Sequence, residues 1–382
     1  MGSFPFPGIK IGYMGEDNIR SGASTFDRSK GVEIKGKPFH ILVIRLSAMG
    51  DVAMTVPVLS ALAQQYPQLR ITVLTRAFFE PIFSGLPNVT VYGADVKGRH
   101  KGLLGIWRLY KELKCLGIDA VADLHNVLRS NMLRLYFGLG SVPFVKMDKG
   151  RAEKRALTSA SDKRFEQLKS THQRYADVFS RLGFPISLHK VPLAHKRPVS
   201  DTAMGLIGGA SIRWIGLAPF AAFNGKMYPL DLMEEVIGIL NKSNSCRILL
   251  FGGGAEERQQ LEKWNLKYSN TVNLVGKVSF GEELAIISQL DLMIAMDSGN
   301  AHLAAMFGIP TITLWGVTHP YAGFYPFAQP MENALLADRN NYPLIPTSVY
   351  GNKYPPEYGD AMRTISPEAV LLKIEEILGS GI

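Results

Sequence analysis

The chain is 382 residues long and carries 42 Lys and Arg against 33 Asp and Glu, a net charge of +9 with histidine neutral. Its composition, 46% hydrophobic and 20% charged, is that of a folded globular protein and excludes a disordered or collagenous chain. At roughly 150 residues per domain the length predicts about two domains, which excludes a single small module.

The redox and targeting signals favour a protein of the reducing cytoplasm. Cys115 and Cys246 are the two cysteines of the chain and lie in segments assigned to different domains, so neither a disulfide framework nor a CxxC metal site can be built. The first ten residues lack the layout of a signal peptide, and we expect no export. The longest near-apolar run, 304–317, is about fourteen residues long, short of the ~20 that span a bilayer.

Strands and helices alternate along the first half of the chain. Residues 1–37 mix Gly, Ser, Pro and charge without a period and are interpreted as a flexible extension. Strands are expected at 39–46, 71–75, 89–92 and 120–124, with helices at 52–65, 78–84 and 103–116. A basic stretch, 146–174, contains nine Lys or Arg against four Asp or Glu, and a proline-punctuated linker occupies 188–200.

The same alternation starts again after the linker. Strands are expected at 214–218, 247–251, 272–275, 291–295 and 311–315, and helices at 230–241, 255–264, 281–289, 300–307 and 367–378. This rhythm predicts an α/β fold of two Rossmann-like, doubly wound domains, 38–200 and 201–350. The closing segment, 351–382, contains the last expected helix, and one arrangement for this segment is that it packs back onto the first domain. Two such sheets facing each other place the loops after their strands around a central cleft, where ligands bind.

The loop after the first strand carries the sequence RLSAMGDV, residues 45–52. Gly50 allows the backbone to turn sharply or to approach a ligand closely. Asp51 falls where the next helix begins, and two roles for it remain open. Asp is favoured as a helix N-cap, and the same point faces the cleft, where a carboxylate can act as a general base.

Two strand ends in the second half suggest a nucleotide site. The sequence FGGGAEER, 251–258, has glycines that allow close approach to a bulky ligand, with Glu256 or Glu257 placed to hold a ribose. A Gly-rich turn without a ligand is the alternative, and the string is not GxGxxG, which disfavours a dinucleotide. Lys226, after the strand 214–218, is either a solvated charge or a cation that neutralises a departing phosphate.

The sequence DSGNAH, 297–302, is the sharpest signal in the chain. Asp297, Ser298 and Gly299 end a strand and are followed by a helix whose free N–H groups and positive dipole end can hold a diphosphate. His302 lies in the first turn of that helix, close enough to donate to the same phosphate. A capping role for Asp-Ser and a structural role for the histidine are equally compatible with the pattern.

Other catalytic signatures are not found. The eight His and two Cys show no zinc spacing, and neither a GxSxG elbow nor a GxxxxGK[ST] loop is present. The basic stretch lacks the interleaved aromatic residues of a single-strand nucleic-acid platform, so no nucleic-acid partner is expected.

Taken in order, these motifs resemble glycosyltransferase family 9, the lipopolysaccharide heptosyltransferases. The resemblance covers about residues 38–330 and rests on RLSAMGDVAMTVPVL from Arg45, KMYP from Lys226, GGGAEER from Gly252, DSGNAHLAA from Asp297, GIP from Gly308 and WGVTHP from Trp315. It implies a GT-B fold and an inverting transfer of heptose from ADP-heptose to a lipid A–core acceptor, with no cofactor and no essential metal.

The resemblance also implies a role for each motif. Asp51 would be the general base and Lys226 would contact the donor phosphate. Asp297, Ser298, Gly299 and His302 would hold the diphosphate and the sugar. Glu257 or its neighbour Glu256 would bind the ribose, and the backbone near Val278 would receive the adenine.

The positive charge of the first half fits an anionic acceptor. Phosphorylated lipid A at the inner leaflet attracts Lys and Arg, so we expect peripheral association with the cytoplasmic face of the inner membrane. The candidate acceptor-binding residues are Arg129, Lys149, Arg151, Lys154 and Arg155. Solvated helix faces are the alternative explanation of the basic stretch.

Three departures from the family pattern keep other functions open. Ala221, Ala222 and Phe223 stand where members often carry Ser or Thr, KMYP replaces Lys-Arg-Trp-Pro, and Asn300 replaces a Pro. A different nucleotide sugar or acceptor is therefore an alternative, as is a non-catalytic protein that binds a sugar nucleotide or a glycolipid. A Rossmann-type dehydrogenase is disfavoured because no GxGxxG follows the first strand.

Overall fold

A computed structural model describes residues 39–208, 212–243 and 245–379, so the predicted extension 1–37 lies outside the described residues. The first half contains a parallel sheet in the order β3-β2-β1-β4-β5. Its strands are β1 (His40–Ile44), β2 (Arg70–Thr75), β3 (Val89–Gly93), β4 (Ala120–Asp123) and β5 (Phe144–Lys146). Its helices are α1 (Met49–Ala53), α2 (Thr55–Gln65), a 3₁₀ helix (Ala77–Phe83), α3 (Gly102–Lys114), α4 (Leu128–Gly138), α5 (Arg151–Leu157) and α6 (Thr171–Arg181).

The second half contains a parallel sheet in the order β11-β10-β9-β6-β7-β8. Its strands are β6 (Arg213–Ala218), β7 (Cys246–Leu250), β8 (Thr271–Asn273), β9 (Leu292–Met296), β10 (Thr311–Trp315) and β11 (Ala334–Leu336). Its α-helices are α7 (Asp201–Ile207), α8 (Leu230–Ser243), α9 (Ala255–Lys267), α10 (Phe280–Ile287), α11 (Gly299–Met306) and α12 (Pro367–Leu378). Short 3₁₀ helices cover Asn224–Lys226, Pro320–Ala322, Met331–Asn333 and Pro356–Thr364.

The predicted α/β class with two doubly wound sheets is confirmed, and the strands and α-helices that were not predicted are the edge strands β5 and β11 and the helices α4, α5, α6 and α7. The central strands are buried on both faces, which is why continuous apolar runs predict them. The edge strands β5 and β11 are three residues long and only partly buried, so they leave no such run. Within the basic stretch the structure contains α5, of which only Leu157 is buried, and the start of α6, whose buried face includes the polar residues Thr171, His172 and Arg174.

The closing helix packs on the second half, so the expectation that this segment returns to the first domain is wrong for α12. Val370 and Ile374 are fully buried in the core that covers β6, β7 and β9. The buried Tyr228 hydroxyl donates to the Ile365 carbonyl at 2.7 Å and holds the start of this helix against the same sheet. The apolar face of α12 is therefore satisfied by α8 and its sheet.

The predicted linker is tied to both halves. Ser60 Oγ donates to the Pro192 carbonyl at 2.7 Å, and the Ala194 amide donates to the Met306 carbonyl at 2.9 Å. Because α2 and α11 are both held by this segment, it joins the halves at a defined place. Among the described helices, none combines the length and the apolar character needed to cross a bilayer.

Two helix N-termini meet where the sheets face each other. The helix α1 begins after β1 and the helix α11 begins after β9. A Cβ atom added to Gly50 would lie 2.9 Å from His302 Cδ2 and 3.1 Å from Gly299 Cα. Glycine at 50 therefore permits a backbone approach that any side chain would block, and this approach sets Asp51 opposite the segment 297–302.

Candidate active site

A cavity of about 320 Å³ lies between the two halves. The first half contributes the start of α1, and the second half contributes the loop before α8, the start of α11 and a loop at 349–350. The lining residues are Ala48, Gly50, Asp51, Met54, Ala222, Phe223, Lys226, Asp297, Ser298, Gly299, His302, Phe324, Val349 and Tyr350. Six of the sequence-predicted residues thus meet in one place: Asp51, Lys226, Asp297, Ser298, Gly299 and His302.

Asp51 is held by a buried arginine. Arg45 Nη2 lies 2.5 Å from Asp51 Oδ2, and Arg45 Nη1 donates to the Leu124 carbonyl at 2.6 Å. Burial lowers the pKa of Arg45, but the neighbouring Tyr175 and Asp51 outweigh this and raise it, so the guanidinium stays charged. In the sequence, Arg45 is a charged residue at the end of an apolar run, and that pattern alone does not indicate its contact with Asp51.

Asp51 is not the N-cap that the sequence suggested, because Ala48 occupies that position, but its carboxylate still supports the start of α1. Asp51 is the third residue of α1, and its Oδ2 accepts from the Ala48 amide at 3.3 Å as well as from Arg45. Oδ1 has no hydrogen-bond partner within the described residues, and Asp51 lines the cavity. One oxygen therefore stabilises the helix start, and the other is free to accept a proton.

Lys226 and Asp297 form an ion pair on the opposite wall. Lys226 Nζ lies 3.0 Å from Asp297 Oδ2, and both side chains are largely buried. Thr318 Oγ1 donates to the same oxygen at 3.0 Å. A Cβ atom added to Gly351 would lie 2.3 Å from Lys226 Cγ, so the lysine stem is packed closely against this glycine. The ammonium is therefore fixed at the cavity wall.

The start of α11 carries unsatisfied polar groups, of which Ser298 and His302 line this cavity and Asn300 lines a neighbouring one. Ser298 is the N-cap, and its side chain makes no capping hydrogen bond. Ser298 Oγ, Asn300 Oδ1 and His302 Nδ1 are buried without a partner within the described residues. Burial lowers the pKa of His302 to about 4, so the imidazole is neutral at pH 7. Free amides at a helix N-terminus and unpartnered polar atoms together form an anion-binding site.

A second cavity of about 330 Å³ adjoins the first and shares Ala222, Ser298 and Gly299 with it. Its wall includes Glu257, whose Oε2 accepts from the Gly253 amide at 2.7 Å. Glu256 is exposed on α9 and does not line this cavity. Of the two acidic residues weighed for the ribose, Glu257 is the one that the fold places at the site. Val278 is partly buried against the core, two residues before Phe280, which lines the cavity.

Glu283 is a site residue that the sequence analysis missed. It lines the second cavity beside Phe280, whose ring stacks on Phe78 from the first half at 4.6 Å. Burial raises the pKa of Glu283 to about 7. In the sequence, Glu282 and Glu283 both resemble ordinary acidic residues of a first helical turn. Only the tertiary packing shows that Glu283 lines the cavity and Glu282 does not.

The candidate acceptor residues separate into three environments. Lys149 and Arg151 line a third cavity, of about 410 Å³, together with Asn126 and Arg181. Lys154 Nζ lies 4.1 Å from the ring centroid of Phe324, which also lines the central cavity. Burial, and then Arg174, lowers the pKa of Lys154 to about 8. Arg155 is exposed on α5, and Arg129 is partly buried in the first turn of α4 with its Nε unpartnered within the described residues.

The basic stretch is not one continuous charged face. Arg174 is buried and forms an ion pair with Glu153 at 2.6 Å. Lys163 Nζ donates to the carbonyls of Leu157 and Pro346. Several of its cations are thus held by internal partners and are not free to meet a charged surface. Within the described residues, no group of three or more His, Cys, Asp and Glu is gathered to hold a metal ion.

Known proteins are similar to this chain in sequence and in architecture. The model of glycosyltransferase family 9 (heptosyltransferase) matches residues 106–352. The lipopolysaccharide core heptosyltransferase OpsX of Haemophilus influenzae is 26% identical over 354 residues, covering 89% of this chain and 93% of that protein. The lipopolysaccharide heptosyltransferase 1 of Pseudomonas aeruginosa is 24% identical and covers 75% of this chain and 81% of its own length.

Solved structures show the same fold. The E. coli ADP-heptose lps heptosyltransferase II has a TM-score of 0.62 at 20% identity, covering 89% of this chain and 98% of its own. The glycosyl transferase family 9 protein from Veillonella parvula has a TM-score of 0.68 at 18% identity, covering 90% and 98%. These likenesses confirm the expected GT-B architecture. The chain, with about two thirds of its length matched by the family model, therefore belongs to glycosyltransferase family 9, the heptosyltransferases, and is a glycosyltransferase.

Proposed function

We propose that this chain transfers heptose from ADP-heptose to a lipid A–core acceptor of lipopolysaccharide, with inversion at the anomeric carbon. One observation carries the proposal: the free Oδ1 of Asp51 lies across a single cavity from Lys226 and the unsatisfied N-terminus of α11. A base on one wall and an anion site on the other are what an in-line sugar transfer needs. The names of the relatives supply the sugar and the acceptor class.

The donor occupies the second-half wall and the adjoining cavity. Its diphosphate accepts from the amides of α11 and from Lys226, and Ser298 Oγ and His302 supply further polar contacts. The ribose lies at Glu257, and the base enters the aromatic cavity beside Phe280, near the backbone of Val278. Asp297, an anion, serves the sugar hydroxyls and orients Lys226, because a carboxylate cannot hold a phosphate directly.

The acceptor hydroxyl loses its proton to Asp51 Oδ1 as its oxygen attacks C1 of heptose. Arg45 and the Ala48 amide hold the other carboxylate oxygen, so Oδ1 is available to the acceptor without breaking these contacts. The C1–O bond to the diphosphate breaks on the opposite face, which inverts the configuration. Alignment contributes more than basicity here, since the proton is accepted only as the new bond forms.

Charge on the departing ADP is stabilised by protein groups. Lys226 contributes a full positive charge, and the amides of α11 contribute the positive end of the helix dipole. We therefore propose that transfer needs neither a cofactor nor a metal. An unchanged rate in EDTA agrees with this, and a rate restored by an added divalent cation contradicts it.

The acceptor binds on the first-half side of the cavity. Lys149 and Arg151, which line the third cavity, and Lys154, which contacts Phe324 of the central cavity, are the cations that bind the phosphates of lipid A. An acceptor of this kind is anchored in a bilayer, so the enzyme works as a peripheral protein at the cytoplasmic face of the inner membrane. Arg129 and Arg155 are secondary candidates for the same anion.

The experiment is a transfer assay with deacylated lipid A–core and a panel of ADP-heptose, ADP-glucose, UDP-glucose and GDP-mannose. We expect ADP release and a heptosylated product whose anomeric configuration, read by NMR, is inverted. Transfer from a UDP- or GDP-sugar instead supports the alternative donor, which Ala221, Ala222 and Phe223 keep open because they offer no hydroxyls to the phosphates. Binding of ADP without transfer to any acceptor supports the non-catalytic alternative.

A further inference from the structure

Two neighbouring helices of the first half expose an unusual number of large apolar side chains. The helices α3 and α4 pack side by side, with Tyr110 stacked on Tyr136 at 5.4 Å. Their outward positions carry Leu103, Leu104, Trp107, Leu128, Leu135 and Leu139. Leu104 is 82% exposed and Leu139 is 85% exposed. We name this surface the α3–α4 face.

Other residues of α3 and α4 form the core between these helices and the first sheet. Leu109 and Leu113 of α3, with Leu133 and Phe137 of α4, are already buried against the first sheet. The apolar side chains of the α3–α4 face follow helical spacing, because Leu135 and the C-cap residue Leu139 lie seven and eleven residues after Leu128, on one side of α4. A helix with a second apolar stripe facing solvent marks an interaction surface.

Positive charge surrounds this stripe. Exposed cations on the two helices are Arg108, Lys111, Lys114 and Arg134, and Lys111 Nζ lies 3.8 Å from the ring centroid of Trp107. Residues 97–139 contain eight Lys or Arg against three acids, a local excess of five positive charges.

The three acids of this segment have internal partners. Glu112 accepts from His100 Nε2 at 3.0 Å, Asp119 accepts from the His40 amide, and Asp123 accepts from the amides after β4. The partner of the α3–α4 face must therefore be both apolar and anionic.

An anionic bilayer fits this pattern and a second copy of the chain does not. A symmetric dimer through the α3–α4 face would bring Arg108, Lys111 and Lys114 against their own copies, and like charges at an interface disfavour association. In a membrane with acidic headgroups, leucine and tryptophan side chains insert into the acyl-chain region, and the flanking cations bind the negatively charged headgroups.

The α3–α4 face also lies at the edge of the sheet where the site opens. Both helices begin after the carboxyl ends of strands, α3 after β3 and α4 after β4. Leu128 follows Asn126 by two residues, and Asn126 lines the cavity of Lys149 and Arg151. A surface docked through the first turns of α3 and α4 therefore adjoins the proposed acceptor entrance.

We infer that the α3–α4 face is the membrane-binding surface of this protein, and that its partner is a phospholipid bilayer with anionic headgroups. It replaces the basic stretch 146–174 as the membrane contact. Docking through the α3–α4 face would bring the central cavity to a lipid-anchored acceptor, and this consequence rests on the proposed function.

The test is flotation of the full chain with vesicles of phosphatidylethanolamine and phosphatidylglycerol, and with phosphatidylcholine alone. The double variant Leu104→Glu with Leu135→Glu is matched by Leu266→Glu with Leu372→Glu, which changes two exposed leucines of the second half. Arg108→Gln with Lys114→Gln is matched by Arg155→Gln with Arg164→Gln in the basic stretch. Unchanged melting temperatures establish that each variant is folded.

We expect wild type to float with anionic vesicles only, and each α3–α4 pair to lower its partition coefficient by about tenfold or more, while both control pairs float as wild type. Equal flotation of all variants overturns the inference, as does a loss of flotation confined to Arg155→Gln with Arg164→Gln. A concentration-dependent dimer that the leucine variant abolishes also overturns it, because the face would then join two copies.

A transfer assay separates this inference from the proposed function. The leucine variant should keep its rate with water-soluble deacylated acceptor and lose it with acceptor embedded in anionic vesicles. Absence of transfer by wild type with either acceptor contradicts the proposed function, and the flotation result still decides the membrane surface.

Discussion

Arg45 and Asp51 form an ion pair, Nη2 to Oδ2 at 2.5 Å, at the point where the two halves of the molecule meet. The arginine is only 6% exposed, and its other amino group is bound to the Leu124 carbonyl. Its position is therefore set by the residue that directly follows β4, and Asp51 is oriented by this contact as well as by its own helix. Pre-alignment of this kind is what allows an ordinary carboxylate to serve as a base.

Asp51→Asn should lower turnover by about two to four orders of magnitude, because an amide cannot accept the acceptor proton. ADP affinity should stay near that of wild type, since the donor groups lie on the other wall. Single-turnover transfer and calorimetric titration with ADP measure the two quantities. Asp360→Asn, at an exposed carboxylate, is the matched control. Near-normal turnover of the Asp51 variant would remove its assignment as base.

Lys226→Met should weaken ADP binding by about ten- to a hundredfold, the range for a hydrogen bond to a charged group. The variant also leaves Asp297 with Thr318 as its remaining hydrogen-bond donor, so a lower melting temperature is expected. Titration calorimetry with ADP checks the affinity, with the exposed Lys267→Met as control. An unchanged dissociation constant would show that the phosphate does not reach this ammonium.

Gly50→Ala should separate the starts of α1 and α11. The new methyl group would meet His302 Cδ2 at 2.9 Å and Gly299 Cα at 3.1 Å, and neither atom belongs to a flexible side-chain end. We expect turnover to fall by about a hundredfold, as for a small misplacement of reacting groups, and unfolding free energy to fall by roughly 1–3 kcal/mol.

Gly205→Ala is the control for that substitution, because a Cβ atom there meets nothing within 4 Å inside α7. This variant should be stabilised by roughly 0.5–1 kcal/mol. Equal rates for the two alanine variants would mean that the close approach at Gly50 has no catalytic consequence.

Glu283→Gln should change how stability depends on pH. Burial raises the pKa of Glu283 in the folded protein to about 7, above the value of 4.5 that it has when unfolded. The folded state therefore binds the proton more tightly, and this contribution to stability is lost as pH rises from about 4.5 through 7.

Urea unfolding at pH 5 and pH 8 measures the effect. The unfolding free energy of Glu283→Gln minus that of wild type should increase by on the order of 2 kcal/mol from pH 5 to pH 8, because only wild type loses the bound proton. Glu282→Gln, in the same first turn, is the control. A difference between wild type and Glu283→Gln that is flat with pH would show that the carboxyl is solvated.

Lys154 should make acceptor binding sensitive to alkaline pH. Burial and Arg174 lower its pKa to about 8, so its positive charge is lost as pH rises through that value. We expect KM for a phosphorylated acceptor to increase between pH 7 and pH 9, and Lys154→Arg to reduce this increase because guanidinium stays charged. Initial rates at several pH values give KM for wild type and for Lys154→Arg. The same KM profile for both proteins would place the acceptor phosphate elsewhere.

The sequence was sufficient for the architecture because burial on both faces leaves a continuous apolar run wherever a central strand lies. Strand β1 and strand β9 are each fully buried, and the motifs with Asp51 and Asp297 follow directly after them. Such local signals do not need the fold to be known. The edge strands β5 and β11 and the helix α4 lacked them, because they bury only part of their surface. Helix α6 was missed because its buried face includes the polar residues Thr171, His172 and Arg174.

By itself, the sequence determined the α/β class, the two halves and the strand-end motifs that identify the family. The tertiary structure decided which of these residues meet. It paired Lys226 with Asp297 and Arg45 with Asp51, placed Glu257 at the cavity with Glu256 outside, and partly buried Glu283 in the wall of the second cavity. The physical reason is that burial and contact between residues far apart in sequence depend on how both sheets pack, and no local pattern of side chains encodes that packing.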